Sequence, residues 1–400
     1  MENEKKPLIR IVGIGMDGDL TLTKAGRAAI ENSDALFGAK RMTEPFLTLG
    51  KPVYDTWKAE EIVDIICREG YERSTVLLSG DCGFYSAANG LVRGLDGFET
   101  ELVCGISTPV YFSSKILIPW QNMKFISLHG TDNSIALNVS RNKYCFFLLG
   151  GDISAAEVCG VLCDYGLSDV IVYIGENLGG ADERITVGEA RELVGGEYAR
   201  LSVLVTENYD YERGVRFGIP DEEFLRGGVP MTKSEIRAAV MSKLSVRDGD
   251  ICWDIGCGTG SVTVEMTLNC GAGRVYAADV SEEAAKLTAD NCKKFRCDNA
   301  FIYRKEAPEV FNDLPAPDCV FVGGSGGRLS EILKAAFCKA NSGARIVVTA
   351  VTLNTLETAR RCLENLGAET EIVQIAVTRV GKSTMFSALN PIFIIKGAKP

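Results

Sequence analysis

The sequence predicts an α/β protein made of two consecutive domains. Short apolar, β-branched segments alternate with helical stretches through both halves of the chain, and this alternation is typical of sheets with mostly parallel strands. At 400 residues the chain exceeds the size of one ordinary hydrophobic core. A stretch rich in charge, glycine and proline, Asn208–Pro230, interrupts the pattern. We therefore predict a first domain over residues 1–207, a linker over 208–230 and a second domain over 231–400.

The first half begins with an apolar strand, Leu8–Ile14, which ends in glycines. Thr23 can accept a hydrogen bond from a free amide at a helix start, so we predict that it caps a helix through Ile30. Helical stretches also lie at Ala59–Glu69 and Ser154–Asp164. The remaining apolar runs predict strands at Ser74–Ser79, Glu101–Gly105, Tyr144–Leu149, Val170–Ile174 and Leu201–Glu207.

The second half opens on Thr232-Lys233-Ser234-Glu235, which has the pattern of a capping box. In such a box the Thr232 and Glu235 side chains would bond each other's backbone amides, and apolar residues follow at helical spacing. Further strands are predicted at Asp250–Ile255, Arg274–Ala278, Cys319–Val322, Arg345–Val351, Glu371–Val377 and Ile392–Ile395.

Composition narrows the function. The net charge of −10 argues against nucleic acid as a partner, because phosphate backbones require clustered Lys and Arg. No stretch approaches the roughly 20 apolar residues of a membrane span, and the charged N-terminus does not resemble a signal peptide, so we expect a cytoplasmic protein that does not contact membranes. The 14 cysteines are scattered and there is one histidine, so we expect buried reduced thiols and no protein-bound metal.

The strongest motif is Ile251–Gly260, in which a buried strand leads into a glycine turn. It contains Asp254 and the glycine loop Gly256-Cys257-Gly258-Thr259-Gly260. Glycines allow the backbone to bend sharply and to approach a ligand without a Cβ in the way. Asp279 ends the next strand about 20 residues later, the separation at which an acid bonds ribose hydroxyls. Glu306, after the apolar Phe301–Tyr303, is a candidate for the adenine end of the same ligand.

Residues 214–396 resemble the C15-methylating, decarboxylating domain of cobalamin biosynthesis. The resemblance is carried by the segments Gly218–Phe224, Pro230–Arg237, Asp254–Gly260, Glu306–Glu309 and Phe321–Gly327. It implies a Rossmann-like, doubly wound domain that binds S-adenosylmethionine (SAM). It also implies that Thr232 and Ala307 join the loop residues and the two acids in binding SAM. Gly324, Ser325 and Gly326 would contact substrate, and Lys233 and Arg237, with Lys382, are candidates for binding substrate carboxylates.

Residues 8–207 resemble the tetrapyrrole methylases. The segments that carry this resemblance are Ile11–Gly18, Val76–Tyr85, Gly105–Pro109, Pro119–Gln121, Ser127–Gly130, Gly175–Leu178 and Asp182–Ile185. In that family SAM lies between two α/β lobes, so a lobe boundary is expected near residues 111–132. The implied cofactor-binding residues are Gly13, Gly15, Gly80, Asp81 and Gly83, with Asp17 and Asp81 equally able to form simple turns. Cys82 stands where the family usually has proline, and Thr131 where arginine is expected.

The order of the two domains is similar to that of the fused precorrin C5,15-methyltransferases. The resemblance implies two SAM sites, a tetrapyrrole substrate, methylation at C5 and C15 with loss of an acetate carboxyl group, and a homo-oligomer. His129, in a glycine-flanked turn, is a candidate general base or a structural residue. Two alternatives stay open: a SAM enzyme with a protein or RNA substrate, and a first half that serves only as a binding or scaffold module.

Overall fold

The structure is a computed structural model and describes residues 6–16, 20–151, 153–212, 214, 216–380 and 385–400. Along these residues the strands are β1 Leu8–Gly13, β2 Ala35–Phe37, β3 Val53–Tyr54, β4 Arg73–Leu78, β5 Glu99–Val103, β6 Met123–Ser127, β7 Tyr144–Leu148, β8 Ile171–Glu176, β9 Arg184–Glu189, β10 Ser202–Glu207, β11 Ile251–Ile255, β12 Arg274–Asp279, β13 Ala300–Arg304, β14 Cys319–Val322, β15 Arg345–Ala350, β16 Glu369–Ile375, β17 Thr378–Val380, β18 Phe386–Ala388 and β19 Ile392–Ala398.

The helices connect these strands in the expected alternation. They are α1 Lys24–Glu31, α2 Lys40–Thr43, α3 Ala59–Glu69, α4 Ala88–Gly94, α5 Thr108–Ile116, α6 Ala136–Arg141, α7 Ala155–Asp164, α8 Ala190–Leu193, α9 Ser234–Leu244, α10 Ser261–Asn269, α11 Glu282–Lys294, α12 Leu329–Lys339 and α13 Leu353–Asn365. No helix in the described ranges is long and apolar enough to cross a membrane.

The strands form three large sheets. The first has the order β3-β2-β4-β1-β5 with all neighbours parallel. The second has the order β6-β7-β10-β8-β9, in which only β6 and β7 are parallel. The third has the order β13-β12-β11-β14-β15-β19-β16, with β19 antiparallel to its neighbours. The fold class predicted from the sequence, two α/β lobes followed by a doubly wound domain, is confirmed.

The chain divides into two compact units. The first unit comprises Met1–Thr131, Tyr144–Val158 and Ile171–Glu207, and the second comprises Asp132–Lys143, Cys159–Val170 and Asn208–Pro400. Residues 132–143 and 159–170 therefore group with the second unit, although they precede residue 207. Within that unit Asp298 accepts hydrogen bonds from the amides of Ile135 and Ala136 at the start of α6, at 2.7 and 2.8 Å. The division at residue 207 stays a prediction.

The third sheet forms the middle of a three-layer sandwich in the second unit. Successive residues of a strand point to opposite faces, and in β11 Trp253 and Ile255 pack into one apolar cluster while Cys252 packs into the other. Apolar side chains on both faces explain why this strand is apolar at every position except Asp254. The carboxyl ends of β11, β12, β14 and β15 consequently meet at one edge, where the glycine loop begins.

The two predicted helix caps have different outcomes. Thr23 caps α1, and its hydroxyl accepts a hydrogen bond from the amide of Gly26 at 3.1 Å. The capping box at Thr232 is wrong: α9 begins after Lys233 and has no side-chain cap. Glu235 instead bonds the guanidinium of Arg379, at 2.5 and 2.8 Å. The Glu235 carboxylate, which the local pattern assigned to the start of the helix, is therefore paired with the distant Arg379.

Candidate functional site

A pocket of about 480 Å³ opens at the carboxyl ends of the third sheet in the second unit. It lies where the strand order reverses between β11 and β14, which is the usual ligand position in doubly wound sheets. Among the predicted cofactor-binding residues, its lining includes Thr232, Gly256, Gly258, Asp279, Glu306 and Ala307. Its lining also includes Gly324, Ser325, Gly326 and Lys233, which were predicted to contact substrate.

The glycine loop is shaped by close backbone contacts. Gly256 has φ +72°, and a Cβ there would lie 2.5 Å from the backbone nitrogen of Gly324. Gly258 has φ +57°, and a Cβ there would lie 2.6 Å from the carbonyl oxygen of Pro230. Neither position tolerates a side chain, so the loop after β11 presents bare backbone to the pocket.

Asp279 closes the pocket from the end of β12. One of its carboxylate oxygens accepts a hydrogen bond from the amide of Gly258 at 3.1 Å, and the other accepts one from Ser281 at 2.9 Å. These bonds tie the glycine loop to the neighbouring strand and fix the carboxylate at the pocket wall. The side chain remains partly exposed there, so a ribose hydroxyl could still reach it.

Glu306 stands on the same wall, and its carboxylate lies 3.2 Å from the guanidinium of Arg328. Arg328 also pairs with Glu309 and Glu331, and these hydrogen bonds raise the pKa of its guanidinium. The cluster fixes the segment Glu306–Ala307 against the first turn of α12. The sequence does not reveal this cluster, because its members come from two segments about 20 residues apart, Glu306–Glu309 and Arg328–Glu331.

Three predicted ligand-binding residues of the motif lie behind the pocket. Asp254 is fully buried, and one carboxylate oxygen accepts a hydrogen bond from the Thr263 hydroxyl at 2.5 Å. Thr259 and Gly260 are buried as well. Asp254, Thr259 and Gly260 are not part of the pocket lining, and their contact with a ligand stays a prediction. They shape the turn, and burial raises the pKa of Asp254 to about 7.

Arg237, which was predicted to bind a substrate carboxylate, is not part of the pocket lining. Its side chain is fully buried and its guanidinium bonds Glu265 at 2.5 Å and the carbonyl oxygen of Thr232 at 2.5 Å. Asp221 lies 3.4 Å from the same guanidinium. Arg237 thus anchors the Thr232 segment, which lines the pocket, and its contact with substrate stays a prediction. Lys233, which directly follows Thr232, has no ion-pair partner among the described residues.

Cavity-lining residues that the sequence prediction missed include Lys305 and Val280. Lys305 precedes Glu306 and its ammonium group bonds Asp313 at 2.6 Å. Val280 follows Asp279 and is largely exposed. Their positions directly after two strand ends are the signal that could have identified them, because the strands of such a sheet deliver ligand contacts at their carboxyl ends.

The first unit has a smaller cleft of about 140 Å³. Both of its sheets contribute to the lining. Met16, Arg41, Ser79 and Thr108 come from the segments of the first sheet, and Leu148, Leu149, Gly175, Leu178, Leu201, Ser202 and Val203 come from those of the second. Burial lowers the pKa of Arg41. Arg41 and the lining from the second sheet were missed by the sequence prediction, because no local motif marks them.

The predicted glycines of the first unit lie next to lining residues of this cleft in the sequence. The backbones of Gly15 and Gly80 exchange two hydrogen bonds, at 3.0 and 2.9 Å. Gly13 is packed so closely that a Cβ would lie 2.6 Å from the carbonyl oxygen of Gly80. None of Gly13, Gly15, Gly80, Asp81 and Gly83 belongs to the described lining, although Met16 and Ser79 are their neighbours in sequence.

Asp81 has a clear structural function. One carboxylate oxygen accepts a hydrogen bond from the amide of Gly83 at 2.8 Å and the other from Gly105 at 3.0 Å. The first bond forms a turn of the kind expected for aspartate, and the second joins the loops after β4 and β5. A role in binding SAM stays a prediction.

His129 follows β6 and is exposed, with its ring directly against Gly150. It does not belong to the described lining of the cleft, and its proposed role as a base stays a prediction. Asp17 and Lys382 lie outside the described residues. Within the described ranges no group of three or more His, Cys, Asp or Glu residues could hold a metal ion. All 14 cysteines are free, and ten of them are buried.

Comparison with known proteins matches both halves of the chain. Residues 9–194 match the family described as tetrapyrrole (corrin/porphyrin) methylases, and residues 222–399 match the precorrin methyltransferase domain. A probable cobalt-precorrin-6B C(15)-methyltransferase (decarboxylating) from Pyrobaculum calidifontis is 48% identical over 184 residues, which cover 44% of this chain and 94% of that protein. A precorrin-6Y C(5,15)-methyltransferase [decarboxylating] from Sinorhizobium is 28% identical over 355 residues, covering 86% of this chain and 85% of that protein.

Among solved structures, the crystal structure of a precorrin-6y C5,15-methyltransferase from Geobacter metallireducens is similar to the second half. It is 39% identical, covers 46% of this chain and 97% of that chain, and has a TM-score of 0.45. The domains, the pocket and the sequence matches together define an S-adenosylmethionine-dependent methyltransferase. The chain belongs to the precorrin-6Y C5,15-methyltransferase (decarboxylating) family, with a tetrapyrrole methylase domain followed by a precorrin methyltransferase domain.

Proposed function

We propose that this enzyme methylates two carbons of a tetrapyrrole precursor of cobalamin, C5 through its first domain and C15 through its second. Loss of carbon dioxide from the ring-C acetate accompanies the C15 step. The observation that carries the proposal is the match to a precorrin-6Y C(5,15)-methyltransferase across both halves, in the same order. We retain residues 1–207 and 231–400 as the limits of the two domains, joined by 208–230.

The pocket of the second unit fits SAM. Gly256 and Gly258 offer bare backbone to the methionine end, and Asp279 offers a carboxylate to the ribose hydroxyls. Glu306 and Ala307 lie on the wall where the adenine would bind. SAM supplies a methyl group on a positively charged sulfur. The chain's part is to hold donor and acceptor in line and to exclude water, because neither step requires a covalent enzyme intermediate.

Decarboxylation of the ring-C acetate requires an oriented carboxylate rather than a strong acid or base, because the conjugated ring can accept the electrons. Lys233 lines the pocket, is partly exposed, and has no ion-pair partner within the described ranges. Gly324, Ser325 and Gly326 offer a loop at the end of β14 on the same wall. We infer that Lys233 binds a substrate carboxylate while this loop contacts the ring.

Two SAM sites, one in each unit, are part of the proposal, and so is a reaction without a protein-bound metal. Calorimetric titration of the whole protein with SAM tests the first point. We expect two sites, of which Asp279→Asn weakens one and Ser79→Arg, which fills the small cleft, removes the other. Gly90→Arg is the matched control, since no atom lies within 4 Å of a Cβ added at Gly90. One site that Ser79→Arg leaves unchanged would favour the scaffold alternative for the first half.

The reaction itself is tested by incubating the protein and SAM with precorrin-6B or its cobalt form. Mass spectrometry of the product should show two added methyl groups and the loss of one carbon dioxide. Methylation of protein or RNA instead of the tetrapyrrole would favour the other alternative. We also propose a cytoplasmic location, which fractionation of cells tests directly.

A homo-oligomer is the last part of the proposal. The hairpin strands β17 and β18 expose the apolar residues Val380, Met385 and Phe386, and Phe386 is 81% exposed. Apolar groups gathered on one hairpin suit burial against a second copy of the chain. Light scattering should give a mass above that of one chain, and Phe386→Ser should lower it. A single-chain mass for the parent would contradict this point.

A further inference from the structure

The second unit contains another cavity, of about 240 Å³, whose lining shares no residue with the SAM pocket. Its charged lining residues are Arg141, Arg216, Lys294, Arg296, Glu212 and Glu223. All six belong to the second unit. Four cations face two acids, which is a local positive excess on a chain with a net charge of −10.

The two acids of the cavity are already engaged by one of its cations. Arg216 bonds Glu223 at 2.6 Å and lies 4.0 Å from Glu212. Lys294 donates to the backbone carbonyl oxygen of Glu223 at 2.6 Å, so it gains no carboxylate partner there. Arg141 and Arg296 have neither an ion pair nor a side-chain hydrogen bond among the residues that the structure describes.

Arg141 is unusual because it is partly buried but makes no ion pair or side-chain hydrogen bond with a described residue. It is the last residue of α6 and is partly buried. Burial is the main cause of the lowered pKa of its guanidinium. Other buried guanidinium groups of this unit are paired: Arg237 bonds Glu265, and Arg345 bonds Asp250. A desolvated cation without a carboxylate is costly unless an anion occupies the space beside it.

Arg296 provides a second, independent observation. It follows α11 with φ +59°, in the left-handed region that favours glycine at the end of a helix. The backbone strain is not offset by any hydrogen bond of the guanidinium to a described residue. Arg296 lines the cavity together with Arg141 and Lys294.

We propose that this cavity binds a compact oxyanion that carries two negative charges, such as a phosphate group or a pair of carboxylates. Guanidinium groups match both chemistries, because each can donate two parallel hydrogen bonds to one oxyanion. The cavity lies below the roughly 300–1,000 Å³ range of pockets that enclose drug-sized ligands. It therefore accommodates a small anion or the end of a larger molecule, and it does not accommodate a whole tetrapyrrole.

Calorimetric titration of the whole protein with inorganic phosphate, and separately with malonate, tests the proposal. Saturating S-adenosylhomocysteine is present throughout to occupy the SAM pockets. The parent should bind at least one of the two anions at one site per chain. Arg141→Gln and Arg296→Gln should each weaken that binding at least tenfold. Arg361→Gln is the matched control because it removes the same charge from a side chain that is 71% exposed elsewhere in this unit, and it should change binding less than twofold.

Tighter binding of phosphate would identify a phosphoryl ligand, whereas tighter binding of malonate would identify a dicarboxylate. Both results support the site. Absence of binding by the parent, or binding that neither variant weakens, would overturn it. Because Arg141 ends a helix, its variant could fail to fold, and Arg296→Gln then decides alone, with thermal unfolding in phosphate as the second readout. A rise in the unfolding temperature with phosphate that the variant loses is the expected result.

Discussion

The two units differ in the kind of cleft that we propose for SAM. In the second unit, one strand–loop–strand segment supplies Gly256, Gly258 and Asp279 to a pocket of about 480 Å³. In the first unit, segments of two sheets that are more than 100 residues apart, such as Met16 and Leu148, line a cleft of about 140 Å³. A local motif therefore specifies the second site, whereas the first depends on how two lobes close upon each other.

The largest effect should come from Gly256→Ala. An added Cβ would lie 2.5 Å from the backbone of Gly324, which cannot move without shifting β14. We expect SAM affinity at this site to fall about a hundredfold and C15 methylation to be lost, because clash and left-handed strain together cost a few kcal/mol. Methylation at C5 should continue.

Gly343→Ala is the matched control for this prediction. Gly343 has φ +77°, close to that of Gly256, but no atom lies within 4 Å of a Cβ added there. It imposes the same backbone strain without the clash and at a distance from the pocket. Equal loss of SAM binding in both variants would mean that strain alone disrupts the unit, and that the contact with Gly324 does not matter.

Asp254 should give the next largest effect, on stability rather than on binding. Its pKa is raised to about 7 by burial, from an ordinary value of 3.8. Its contribution to the free energy of unfolding is therefore full below pH 3.8 and is lost as the pH rises towards 7. Asp254→Asn removes this dependence, so the parent should lose about 2 kcal/mol relative to the variant between about pH 5 and about pH 8.

Urea unfolding at several pH values measures this difference. A parallel pH dependence in the parent and in Asp254→Asn would show that another group is responsible.

Asp279→Asn should weaken SAM binding at the second-unit site by about tenfold, because the charged acceptor for the ribose is replaced by a neutral amide. The equivalent change in the first unit, Asp81→Asn, should be smaller, since Asp81 does not belong to the described lining of the cleft. Calorimetry on both variants sharpens the comparison. A larger loss of SAM affinity from Asp81→Asn would indicate that the first site also binds its ligand through an acidic loop residue.

The same contrast explains which features the sequence could predict. The strands Cys319–Val322 and Ile251–Ile255 and the loop between Asp254 and Gly260 follow from local apolar pattern and glycine spacing. Glu235 was wrongly assigned to a capping box, because its partner Arg379 lies 144 residues away. The partner of Arg237, Glu265, was not foreseen because it lies 28 residues away. No local pattern reveals an ion pair over such distances.

Missed strands have a related explanation. β2 and β3 have three and two residues, too few to show a period. β9, Arg184–Glu189, begins and ends with a charged residue, and none of its side chains is fully buried. It therefore lacks a buried apolar face. A strand can be predicted from its sequence mainly when its side chains are buried, because burial requires a regular apolar pattern. Edge strands such as β9 bury few side chains and lack that pattern.

Cys82→Ala should have the smallest effect and bears on whether the first unit is active. Cys82 replaces the proline usual in the family, but its thiol lies in the core and donates to the carbonyl oxygens of Ile11 and Val103 at 3.4 and 3.5 Å. Burial raises its pKa to about 11, so the thiol stays protonated at neutral pH and is not a nucleophile. The variant should lose about 1 kcal/mol of stability and bind SAM within twofold of the parent. Loss of SAM binding without loss of stability would instead mean that the substitution of proline by cysteine reshaped the first site.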